Sequence, residues 1–170
     1  MRLTIAALTV VALGGFAAAQ HQHGGHGYAG MQQRTIKALS DQQIADLRAG
    51  RGMGLALAGE LNGYAGPLHA MELADQLMLS DTQRARMRGL YDAMKAEAIP
   101  LGEALITEES ALDRAFAERA ISEERLEVLT TRIGAAQARL RAVHLKYHLT
   151  TDALLSAHQR HRYAELRGYR

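Results

Sequence analysis

The chain has 170 residues, of which 48% are hydrophobic and 22% charged, with a net charge of +2, no Cys and no Trp. Without Cys there is no disulfide, no thiol nucleophile and no lipid-modified cysteine anchor. Two Phe and a near-balanced charge leave neither an aromatic platform for single strands nor a basic arm for duplex DNA, so no nucleic-acid partner is expected.

Met1-Arg2 followed by the apolar run Leu3–Phe16 and by Ala17-Ala18-Ala19 has the form of a secretory leader. The run is too short to span a bilayer stably, and the small residues predict cleavage before Gln20. Residues 1–19 are therefore read as a signal peptide and the mature protein as periplasmic. Residues 20–38, rich in Gln, Gly and His, read as a flexible tail. Residues 39–66 hold a short helix, Ser40–Ala49, ended by Gly50, and then a Gly-rich loop with a helical turn within Leu55–Leu61. Gly66-Pro67 opens another helix to about Met78, with Pro at a tolerated first-turn position.

From Ser80 the apolar positions Met87, Leu90, Met94, Ala98, Leu101, Leu105, Leu112 and Phe116 recur at helical spacing, with a kink or break expected near Ala96–Pro100. After a turn at Arg119–Ile121, Ser122 caps a return helix carrying Leu126, Leu129, Ile133, Ala136, Leu140, Val143 and Tyr147 on one face. That helix should fray near Leu149–Leu155. A last helix runs from Ser156 to about Arg167. No segment alternates, so the fold class is all-α: a long antiparallel helical hairpin with short flanking helices. Two stripes of roughly 50 Å and 40 Å at ~1.5 Å per residue exceed what one small monomer covers, which predicts a homodimer.

The five-residue motif Leu-Ser-x-x-Gln occurs three times, at Leu39–Gln43, Leu79–Gln83 and Leu155–Gln159. A Ser N-cap accepting from a first-turn N–H, with a Gln three residues on reaching back, is a capping box. The copies at 79 and 155 bracket the hairpin. With the leader and the lack of Cys, they make residues 68–167 resemble the periplasmic LTxxQ family of CpxP/Spy-type chaperones and ZraP/CnrX-type metal-responsive proteins. The resemblance places residues 67–170 in an LTxxQ-type helical domain. It implies a CpxP/Spy-like homodimer that binds unfolded envelope clients without ATP or contacts a membrane sensor partner. Ser replaces the Thr of the family motif, which keeps the capping chemistry. Residues 31–66, with the extra copy, lie outside the family pattern.

Eight His in a chain without Cys raise a second reading, a heavy-metal binding or sensing protein. His21, His23 and His26 in the tail make a weak site for Zn²⁺, Cu²⁺ or Ni²⁺. His144 and His148, one helical turn apart, lean toward the hairpin stripe. A turn near residue 120 sets position 144 opposite about 96, bringing Glu97 alongside, and His69 and Glu72 on the preceding short helix are the candidates to complete an N/O site. The bland alternative is that these are hydrogen-bonded core histidines. No cofactor is required by the fold; a divalent Zn, Cu, Ni or Co ion is the one the histidines suit. No catalytic residue emerges: Ser40, Ser80 and Ser156 serve as caps, and the Glu pairs at 108–109 and 123–124 read as solvated helix faces.

Overall fold

The computed structural model describes residues 28–169. The signal-peptide expectation and the tail histidines His21, His23 and His26 lie outside the described residues. Within them the chain is helical throughout. A 3-10 turn at Met31–Gln33 precedes α1 (Asp41–Arg48), α2 (Leu57–Glu60), α3 (Pro67–Glu72), α4 (Asp81–Ala117), α5 (Glu123–Asp152) and α6 (Ala157–Leu166). The all-α hairpin with short flanking helices is thus the fold, and no strand occurs among the described residues. None of these helices is long and apolar enough to cross a membrane.

Each helix start follows from local chemistry. Ser40, Ser80 and Ser156 all form complete capping boxes with Gln43, Gln83 and Gln159, and Ser122 accepts from the Arg125 N–H. Pro67 opens α3 from its first turn. Helix α3 stops at Glu72 instead of reaching Met78, because the following turns end with Met78 at φ 51. Helix α4 runs unbroken through Pro100, correcting the expected break. Pro100 and Ala96, whose carbonyl loses its partner, are both exposed, so that carbonyl is not buried unpaired in the core. Helix α5 likewise continues past Leu149 to Asp152 and buries Thr151 completely.

The two long helices pack face to face along their predicted stripes, and the core divides in two. Midway along the hairpin, Ala98, Leu105 and Ile106 of α4 meet Ile133, Ala136 and Leu140 of α5. Leu47 of α1 covers this cluster together with Ile36 and Leu39. Ile36, within the stretch expected as tail, is packed: it is 4% exposed, and the neighbouring Lys37 N–H donates to Asp113. At the base, Ala65, Ala70, Leu77 and Leu79 close over Met87, Leu155 and Tyr163. The outer ends of the stripes stay exposed at the hairpin tip, at Phe116 and Leu126.

Helix α1 sits unusually close to α4. A Cβ built on Gly102 would lie 2.5 Å from the Leu47 carbonyl oxygen and 3.0 Å from its carbon. Only glycine lets these two backbones approach so closely.

Candidate functional site

The second and third Leu-Ser-x-x-Gln copies do more than cap. While Gln83 Oε1 accepts from the Ser80 N–H, its Nε2 donates to the Leu154 carbonyl and to Gln159 Oε1, both at 2.9 Å. Gln159 answers in kind, donating to the Leu77 carbonyl at 3.3 Å and to Gln83 Oε1 at 3.1 Å. The starts of α4 and α6 are thereby clasped by two side-chain amides 76 residues apart. Among the described residues Gln43 bonds only within its own box, so the three copies divide into a joined pair and a lone cap.

A cavity of about 420 Å³ lies between the Gly50–Glu60 stretch, α3, the hairpin and the chain's last turn. Met53, Leu57, Leu68 and Met94 give it apolar walls, and Tyr91 and Tyr169 add rings. Its polar centre is Glu60, 5% exposed. The oxygen Oε1 accepts from Tyr163 at 2.5 Å and from Tyr169 at 2.9 Å, with Arg167 Nε at 3.2 Å and His69 Nδ1 at 3.4 Å. Burial alone would raise the pKa of this carboxyl. The hydrogen bonds from His69, Tyr163 and Tyr169 outweigh burial and bring it down to about 2. Burial and the same carboxylate raise the Tyr163 phenol. The other oxygen, Oε2, is buried without a hydrogen-bond partner; the nearest ring nitrogen, His148 Nδ1, stands 3.6 Å away.

His144, His148 and His69 all line this cavity, as the sequence placed them together. Their chemistry differs. His148 Nδ1 donates to the Tyr64 carbonyl at 2.8 Å, which fixes the tautomer, and its Nε2 packs on Gly66, where a Cβ would sit 2.7 Å away. His144 is 2% exposed, and its Nε2 has no hydrogen-bond partner. Burial, and then the neighbouring His148, lower its pKa, so the ring is held neutral.

Glu97 does not face these histidines as expected. Its carboxylate receives Lys146 Nζ at 2.6 and 2.7 Å and the Tyr147 hydroxyl at 2.7 Å on the flank of the hairpin. Lys146 and then Tyr147 lower its pKa. The carboxylate near the histidines is Glu60 instead. Among the described residues no three His, Asp or Glu side chains gather closely enough to hold a metal ion. The set His144, His148, Glu97 and His69 is therefore not assembled as a metal centre.

Sequence reasoning missed Glu60, Tyr163, Arg167 and Tyr169. The available signal was small: one acid inside the otherwise apolar run Leu55–Leu61, and two Tyr near an Arg at the C-terminal end.

An all-α hairpin with joined Leu-Ser-x-x-Gln caps defines a class of protein. A family model described as LTXXQ motif family protein matches residues 66–167, and the chain belongs to that family. No curated protein and no solved structure matches the chain significantly. Of the cavity, the floor and Arg167 fall inside the matched region, whereas the roof from Gly50 to Glu60 and the last-turn Tyr169 fall outside it.

Proposed function

We propose that this is a non-enzymatic periplasmic protein of the CpxP/Spy type, an ATP-independent chaperone or envelope-stress accessory that binds unfolded clients and works as a homodimer. One observation carries the reading. Among the described residues, five of the eleven exposed large apolar side chains, Met53, Leu57, Leu61, Tyr64 and Leu68, fall within residues 53–68, and Leu149 is exposed on α5, against which α2 packs. Scattered exposed apolar residues need no explanation, but a concentration of them suits a partner-binding surface. Family membership supports the same reading.

The test is suppression of aggregation of reduced α-lactalbumin by the mature protein, without ATP. An equimolar to severalfold excess should hold the client soluble. Leu61→Ser/Leu149→Ser, changing two side chains 58% and 59% exposed, should weaken the effect while keeping helicity. No suppression at severalfold excess would end the proposal.

The metal-responsive reading has a narrower basis, the shared cavity position of His69, His144 and His148. Calorimetry with Zn²⁺, Cu²⁺, Ni²⁺ and Co²⁺ on protein lacking residues 20–27 tests it: a micromolar site lost in His144→Ala supports it, and no heat refutes it.

A further inference from the structure

The segment outside the family match does one thing that the shared hairpin does not: it roofs the cavity. At about 420 Å³ the space falls in the range of small-molecule sites. Of its charged lining groups, Arg51 comes from the roof, Glu60 from α2 and Arg167 from the C-terminal end of α6.

Depth separates these charges. The Glu60 side chain is 6% exposed, its Oε1 is taken by the two tyrosines, and its Oε2 is buried. The Arg167 and Arg51 side chains are 31% and 66% exposed. A molecule entering the cavity therefore meets cations and does not reach the carboxylate. Leaving the histidines out of the count, two Arg against one Glu give the lining a net charge of +1. A singly charged anion balances it.

The open edge of Arg167 narrows the choice. Its Nε faces Glu60 Oε1 at 3.2 Å and the Tyr169 hydroxyl at 3.3 Å. Its Nη1 and Nη2 have no protein acceptor among the described residues, and neither is buried away from solvent. The guanidinium is thus held along one side and free along the other, where its paired N–H groups match both oxygens of a carboxylate. Arg51 is held more loosely, by one contact from Nη1 to Asp46 at 2.8 Å.

The rest of the wall is apolar and reachable. Met53, Leu57 and Leu68 are exposed, and Tyr91 adds a half-buried ring. A thioether and a tyrosine ring both make favourable contacts with an aromatic group.

We propose that the cavity binds a small amphipathic carboxylate, an acid group on a short apolar body that ends in an aromatic ring. The carboxylate accepts from Arg167 Nη1 and Nη2, and Arg51 supplies the second positive charge. The body lies against Met53, Leu57, Leu68 and Tyr91.

The test titrates the protein by calorimetry with three molecules of one shape: 4-phenylbutyrate, 4-phenylbutan-1-ol and 4-phenylbutylammonium. Saturable binding of the carboxylate, about tenfold or more tighter than either other probe, is expected, because hydrogen bonds between charged partners are the strong kind. With methyl-labelled methionine, the Met53 signal should shift on binding. The signal of Met78, exposed and outside the cavity, should stay in place.

Arg167→Lys keeps a positive charge beside Glu60 but removes the fork, and should cut the preference over the alcohol severalfold. Should that variant lose helicity, Arg51→Gln serves instead: it removes one exposed charge and should weaken binding of the carboxylate alone. No saturable binding, equal affinity for the alcohol, preference for the ammonium, unchanged preference in both variants, or shifts confined to Met78 would each overturn the proposal. None of these outcomes bears on client binding, whose test alters residues 61 and 149.

Discussion

Replacing Gly102 by Ala should destabilise the protein, although Ala is the better helix former. A Cβ at that position meets the Leu47 backbone oxygen at 2.5 Å, whereas carbon–oxygen contacts ordinarily fall near 3.3–3.6 Å. Relief therefore requires about 1 Å of separation between α1 and α4. The obstructing atoms are backbone, so no side chain can swing aside. Overpacking of this kind costs roughly 1–3 kcal/mol, and the helix propensity of Ala returns up to about 1 kcal/mol. The net expectation is a loss of about 1–2 kcal/mol, or roughly 2–8 °C in Tm for a domain of this size. Gly134 on α5 is the matched control, since a Cβ there meets nothing within 4 Å. Gly134→Ala should stabilise by about 0.5–1 kcal/mol. Thermal and urea unfolding followed by circular dichroism measure both, and hydrogen exchange over residues 41–48 should rise only in Gly102→Ala. If the two substitutions stabilise alike, the close approach of α1 to α4 is wrong.

The glutamine clasp predicts non-additivity. A Gln83→Ala/Gln159→Ala cycle should show a coupling energy of about 1 kcal/mol, and a Gln43→Ala/Gln83→Ala cycle none, by urea denaturation. Glu60 has its pKa lowered to about 2, so the stability it contributes is present above the ordinary Glu range and drains away as pH falls from about 4.5 toward 2. Wild type should lose on the order of 3 kcal/mol from this group across that interval, and Glu60→Gln should start less stable but show a shallower acid slope. His144 has the opposite consequence near neutrality. Its folded pKa lies below its unfolded one, so the unfolded chain takes up the proton first and stability falls as pH drops below about 6.5. His144→Gln should flatten unfolding free energy between pH 7 and 5; an unchanged slope would show that the ring is not buried neutral.

Local chemistry was legible and distant docking was not. Ser40, Ser80, Ser122 and Ser156 cap the helices that their spacing announces, because a cap is made within four residues. The hairpin stripe was equally plain, since period and burial coincide at Met87, Met94, Leu105, Ile133 and Leu140. Ile36 and Leu39 were invisible as core, being two apolar residues in a polar stretch with no period to declare a face. In the site, helical register did bring Glu97 to the level of its partners across the hairpin, but Lys146 and Tyr147 take its carboxylate. Glu60 reaches the histidines from the short helix α2, with His148 packed on Gly66 where a Cβ would lie 2.7 Å from its ring, and no periodicity encodes that.

The attachment of Glu60 also orders events in time. Its hydroxyl donors, Tyr163 and Tyr169, follow it by 103 and 109 positions. A growing or threading chain delivers α2 early and its moorings last. Until those final residues arrive, the Gly50–Glu60 stretch has an acid with nowhere dry to go and must remain in water. Closure of the roof is therefore a late step, governed by a long-range contact, and it reports that the whole sequence through residue 169 is present. A chain ending before Tyr163 would leave Glu60 without either of its hydroxyl donors.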